Sequence, residues 1–333
     1  MRHLEKPVVL DLQRPTNVAA RIVGGVRSYA ANALLVALLA LAPFLFESHI
    51  VGSLTRGMIY GMAACAVGFI IRCGGMVSFG HAAYFGLGAY SVLIAQKIGL
   101  TEALLIWPIA VLVSAAASLA IGSLSLRTRG VSFIMITLGF AQMVYFVISS
   151  VQGLGGADGL GLQARNQIGG VSLESPTRFH FVVLALLLVV FCVLSRVGRS
   201  PLGMALAGIR QNERRLKALG YNTTRLQLTA FVLSAAITGL AGALAAEFYL
   251  YVSPGLLHWI VSGELLVMAT LGGVTALMGG LFGALVLLLA EVLISEFTTY
   301  WRMALGPVVI VAVLYLRQGL QPALQKMLGG GRD

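Results

Sequence analysis

Long apolar stretches alternate with short polar ones along almost the whole chain. The apolar runs cover residues 29–46, 49–71, 74–96, 104–126, 131–151, 179–197, 226–246, 264–275, 278–294 and 303–316. A helix of about 20 apolar residues crosses the ~30 Å hydrocarbon core of a bilayer. The pattern therefore predicts an all-α polytopic membrane protein with about ten transmembrane helices, or eight or nine if the weakest runs do not span. Those runs are 264–275, which is short, and 278–294, which glycines interrupt. Two segments are too rich in glycine for a straight lone helix: GGMVSFGHAAYFGLGAY at 74–90 and LGGVTALMGGLFGA at 271–284. A membrane tolerates such runs where backbones pack closely or line a cavity. They predict broken helices, one in each half of the chain, as in duplicated transporter folds. Gly239 and Gly242 predict a further small-residue packing face.

The polar segments set the orientation. Residues 1–28 form a tail in which Arg2, Lys6, Arg14, Arg21 and Arg27 outweigh Glu5 and Asp11. The apolar run that follows has no clear small-x-small cleavage site and is read as a first span, not a signal peptide. Residues 198–225 are strongly basic, and Arg317, Lys326 and Arg332 follow the last run, in the tail 317–333. Basic loops lie on the cytoplasmic side, so both termini are expected there. Residues 152–178 are nearly neutral and contain the turn-rich GLGGADGLGL. Residues 247–262 carry Phe248, Tyr249, Tyr251 and Trp259, as a membrane interface does. Both segments are expected outside, which makes 29–316 one transmembrane domain.

The basic loop has its own helix punctuation. Ser200-Pro201 reads as N-cap and first helical residue. Asn212 predicts the cap of a short helix over 213–219, which Gly220 ends. Glu213 and Lys217 form an i,i+4 pair, while Leu216 and Leu219 share a face. With Arg210, Arg214 and Arg215 around it, this is a docking element for a soluble partner or a solvated loop whose charges only fix topology.

Composition supports the membrane class and narrows the chemistry. Hydrophobic residues make up 58% and charged residues 11%, with mean hydropathy +0.91. Soluble domains carry roughly 25% charge. The net charge of +11 sits mostly in loops, where orientation explains it and nucleic acid need not. Cys65, Cys73 and Cys192 have no paired spacing, so neither a disulfide nor a metal site is expected. No catalytic cluster, nucleophile elbow or Gly-rich phosphate loop occurs, which excludes ATP hydrolysis by this chain itself. Polar residues inside apolar runs remain: Ser78, His81, Gln142 and Tyr145 are candidates for a substrate path or for helix packing. Glu264 reads as a helix-start acid, and Glu291 as an interface or subunit contact. Charges fall almost entirely at span ends, which disfavours an ion-coupled secondary transporter.

Residues 74–90, 155–162, 200–246 and 251–293 resemble, in order, the permease subunits of branched-chain amino-acid ABC importers, of the LivM type. The resemblance runs from about the second span to the last. It implies an inner-membrane importer of two related permeases, two ATPase subunits and a periplasmic substrate-binding protein. The basic loop would be the coupling helix, seated in a groove of the ATPase, with no cofactor on this chain and ATP used by the partners. Glu213 and Gly220 match the acidic and glycine positions of the family's cytoplasmic motif. Arg215 and Leu216 replace the two alanines usual there, which suggests an ATPase with a matching acidic groove. Family members moving urea, short amides or aromatic acids leave the substrate open at this point.

Overall fold

A computed structural model describes residues 18–274, 276–297, 303, 306–307 and 319–321, with side chains from residue 32 onward. The predicted span 303–316 and the distal parts of both tails fall largely outside these residues. The helices are α1 (Val18–Leu45), α2 (Ser48–Gly74), α3 (His81–Lys97), α4 (Ala103–Ser125), α5 (Val131–Ser150), α6 (Pro176–Arg199), α7 (Pro201–Ala218), α8 (Thr223–Tyr249), α9 (Trp259–Gly272) and α10 (Gly279–Phe297). Among the described residues, six are long and apolar enough to cross a membrane: α2, α4, α5, α6, α8 and α10. Residues 32–45 of α1, and α9, are shorter apolar helices.

The departures from the sequence pattern have physical causes. α1 starts at Val18, inside the stretch read as tail. The third apolar run is helical only from His81; Gly75, at φ +65°, ends α2, and residues 76–80 are not helical. Its helix restarts against another element: the Ala82 N–H donates to Ser262 Oγ of α9 at 2.7 Å. At about 26 Å for α3 and 21 Å for α9, neither matches the ~30 Å core. α9 is followed by a second non-helical break at Gly273. Both glycine-rich regions are thus broken helices, as expected.

α8 is the central element, packed against α2, α3 and α4. Its glycines permit backbone contact. A Cβ on Gly242 would lie 1.8 Å from the Phe85 carbonyl oxygen, and one on Gly88 would lie 1.9 Å from that of Gly239. α10 packs on α2 in the same way, with Gly280 against the backbone of Ala64.

Residues 152–175 cap the end of the bundle remote from α7. Strand β1 (Leu160–Gly161) pairs antiparallel with β4 (Tyr251–Val252), and β2 (Gln167–Ile168) pairs with β3 (Val171–Ser172). The cap is tied down by a buried polar network. Trp107 Nε1 and Asn166 Nδ2 donate to Glu247 Oε1 at 2.8 and 2.7 Å. Gln96 Nε2 donates to Asn166 Oδ1 at 2.9 Å. Glu247 reads in the sequence as the start of an aromatic outer segment. With its carboxylate partnered inside the fold, α8 continues to Tyr249, and Leu250 at φ +51° stops it.

One charged pair joins two of the apolar helices. Arg56 of α2 donates from Nη2 to both oxygens of Glu291 of α10, at 2.9 and 3.0 Å, and lies 5.9 Å from the centre of the Tyr60 ring. Glu291 is therefore an intrachain partner. Removing one member of a desolvated pair strands the other, which costs ~3–5 kcal/mol when fully buried. This pair keeps 29% and 17% side-chain exposure, so about 2 kcal/mol is expected for Arg56→Met. Thermal unfolding of the detergent-purified protein should show Arg56→Met/Glu291→Leu more stable than Arg56→Met alone. Equal melting temperatures would contradict the pairing.

Candidate functional site

α7 opens as the sequence predicts, with Ser200 at the N-cap and Pro201 at the first helical position. The Ser200 hydroxyl does not cap; it donates to the Val197 carbonyl at 2.7 Å. At Asn212 the backbone leaves the helical region, with φ −158° and ψ 96°. The Asn212 side chain accepts from Arg215 N at 3.1 Å. α7 is thus two helices joined at a kink, and the second is the predicted short helix starting at Glu213. Gly220 at φ +86° ends it. Tyr221 N donates to Leu216 O and Gly220 N to Lys217 O, the paired bonds of a glycine-terminated helix. Asn222 then caps α8 through Arg225 N.

Glu213 is the hub of this turn. Its Oε1 accepts from Arg129 Nη2 at 2.7 Å, Thr223 Oγ1 at 3.0 Å and Lys217 Nζ at 3.1 Å. It thereby joins the α4–α5 connection, the short helix and the first turn of α8. Burial alone would push its carboxyl up. The hydrogen bonds from Lys217 and Thr223, with the Arg129 and Lys217 charges, outweigh that and hold it below its ordinary value. A depressed carboxyl stabilises the fold above its unfolded-state value and loses that contribution as pH falls through the folded one. Neutral pH lies above both, so the hub is fully ionised there.

Arg210 Nη1 donates to the Arg72 carbonyl at 2.8 Å and fixes α7 to the end of α2. A pocket of about 360 Å³ opens beside it, lined by Gly75, Arg129, Phe133, Arg210, Glu213 and Gln227 among others. Arg214, Arg215, Lys217, Leu219 and Gly220 are exposed. Leu216 and Leu219 differ in burial. The kink folds Leu216 back onto Gly208, whose built Cβ would be 2.8 Å from Leu216 Cδ1, while Leu219 is 69% exposed.

The four path candidates separate into two pairs. Ser78 and His81 are buried at the α2–α3 break. Ser78 Oγ accepts from Gly80 N at 3.1 Å. Ser234 Oγ donates to the Ala66 carbonyl at 2.7 Å, so the His81 Nε2 facing it at 3.0 Å is the donor. Gln142 and Tyr145 are half-buried on α5, where Tyr145 meets the His258 ring edge-on at 5.5 Å. The hydroxyls that organise the break are Thr137 and Ser234, isolated small polar residues in apolar runs, and Ser262 from the outer segment. Nothing in their spacing singles them out in the sequence.

Comparison with known proteins decides the class. Residues 49–316 match the family described as the permease component of branched-chain amino acid transport systems. The chain belongs to this permease family. It is 30% identical to the high-affinity branched-chain amino acid transport system permease protein LivM of Salmonella typhimurium, over 88% of this chain and 76% of that one. LivM of Escherichia coli matches with the same identity and coverage. LivH of Salmonella typhimurium, named as a permease protein of a system with the same description, is 21% identical over 85% of this chain and 98% of its own. No solved structure matches. The permease is accordingly a transporter subunit and not an enzyme.

Proposed function

We propose that this chain is one permease subunit of an ATP-driven importer for branched-chain amino acids. It supplies half of the translocation path, and a related second permease supplies the other half. The observation that carries the reading is the short helix after Asn212, which closes its own hydrogen bonds and presents Arg214, Arg215 and Leu219 outward. Its role is to dock in a groove of a separate ATPase, with two such ATPases per importer and a periplasmic binding protein that delivers the substrate. ATP is bound and hydrolysed by those partners, and this chain needs no cofactor.

The likeness to both LivM and LivH supports a core of two related permeases. Arg72, Arg127, Arg129, Arg199, Arg210, Arg214, Arg215 and Arg225 gather at the α7 end, which supports a cytoplasmic position for that end in the inner membrane. Both termini would lie on the same side. In this reading Gln142 and Tyr145, half-buried on α5, line the path, with Ser78 and His81 supporting the break behind them.

Affinity purification from solubilised membranes tests this reading. The unsubstituted chain should recover two ABC ATPases and a second permease, identified by mass spectrometry. Arg215→Glu/Leu219→Glu should lose the ATPases and retain the permease. Recovery of the chain alone, with substrate uptake into proteoliposomes in the absence of ATP, would make it a secondary transporter instead.

A further inference from the structure

The node at Glu247 has an unused half. The carboxylate is fully buried, and its Oε1 takes both hydrogen bonds, from Trp107 and Asn166. Among the described residues its Oε2 has no partner. A buried acceptor left open is costly, and an apolar residue would avoid the cost. A half-satisfied buried network in a native fold needs an explanation, and a second arrangement in which the open atom is used supplies one.

The group to fill it is adjacent. The Arg165 Nε donates to the backbone carbonyl of Glu247 at 3.1 Å. Its Nη1 is directed to the cap, donating to Glu174 O at 3.1 Å and Leu173 O at 3.4 Å. The guanidinium carbon lies 4.7 Å from the centre of the Phe179 ring on α6. Rotation of the outer part of this side chain would exchange two neutral carbonyls for a carboxylate oxygen, a stronger acceptor for a cation.

We propose that Arg165 and Glu247 form a two-position latch between the cap and α8. In the position seen, Arg165 holds the strand β3 side of the cap through Leu173 and Glu174. In the other, it pairs with Glu247 Oε2 and releases those carbonyls. Glu247 stands near one end of α8, and Thr223 at the other end holds Glu213. In the importer reading, on which this last step rests, the latch reports the state of the cap to the short helix of α7. Glu247 is a positioning residue, since it acts through Arg165 and α8.

The test uses the full chain purified in lipid nanodiscs. Glu247→Gln keeps an Oε1 acceptor for Trp107 and Asn166 but removes the charge that would capture Arg165. Hydrogen exchange followed by mass spectrometry on peptides covering 167–175 should slow several-fold in Glu247→Gln, because the released position is no longer visited. Arg165→Met, which cannot hold the cap in either position, should exchange faster than the unsubstituted chain. Equal exchange in Glu247→Gln and the unsubstituted chain would overturn the latch, whatever the chain transports.

A second measurement uses the assembled importer with loaded binding protein. There Glu247→Gln should keep basal ATP hydrolysis within about two-fold and lose most of the stimulation by the binding protein. Equal loss of both would mean a structural role and overturn the relay. Absence of any ATP-driven uptake by the unsubstituted assembly would overturn the importer reading and leave the exchange result standing.

Discussion

Glu213→Ala is expected to lower ATP-driven uptake by the proposed importer, once reconstituted, about ten-fold or more, while ATP hydrolysis by the proposed partner subunits continues. That drop corresponds to roughly 1.4 kcal/mol of lost coupling. The carboxylate gathers Arg129, Lys217 and Thr223 on a single oxygen. Without it, the short helix keeps its Asn212 cap and glycine stop but loses its tie to the α4–α5 connection and to α8. Such exposed ion pairs contribute only ~0–1 kcal/mol each to stability, so the melting temperature should move little. Glu213→Gln keeps an acceptor for Thr223 and loses both charge pairs, which places it between alanine and the unsubstituted chain. Since the carboxyl is held below its ordinary range, uptake should show no titration from this residue between about pH 6 and 8. A Glu213→Ala importer with unchanged uptake per ATP would remove the hub from the coupling path.

The second large effect is on folding. Gly242→Val would put a side chain 1.8 Å from the Phe85 carbonyl, and that neighbour is backbone in α3, which cannot rotate away. Over-packing ordinarily costs ~1–3 kcal/mol; here two helices must separate, so the loss should reach or exceed the top of that range. The variant should extract from membranes in low yield and elute as aggregate on size-exclusion chromatography. Gly139→Ala on α5, with open space around the added methyl, is the control and should behave as the unsubstituted chain. A monodisperse Gly242→Val protein with an unchanged melting temperature would show that the close approach of α3 and α8 does not hold the bundle together.

Helix ends and the punctuation of the basic loop were legible because they depend on local chemistry. Asn212, Gly220 and the Glu213–Lys217 pair act over three or four residues, within reach of a sequence pattern. The same holds for the two glycine-rich breaks. What could not be read were contacts between distant segments. His81 meets Ser234 across 153 positions, and Arg56 meets Glu291 across 235. Helical spacing puts Leu216 beside Leu219, but it could not show that the kink at Asn212 folds Leu216 back onto Gly208. Glu247 misled for the opposite reason. A carboxylate at the end of an apolar run reads as the point where the chain meets water, and its partners, Trp107 and Asn166, lie far away in sequence. The family resemblance supplied what local chemistry could not, by tying separated blocks to one architecture.

The short helix after Asn212 starts on its own side-chain cap and stops on its own glycine, and Asn222 begins the next helix afresh. Its shape is settled within residues 212–222, and Glu213 and Leu216 reach back into the body. In the proposed importer this makes the contact with the energy-supplying subunit an exchangeable cassette. Drift in its outward side chains can change which ATPase is accepted while the buried bundle stays as it is, and a chimaera carrying another permease's segment could switch partners without being redesigned inside the membrane.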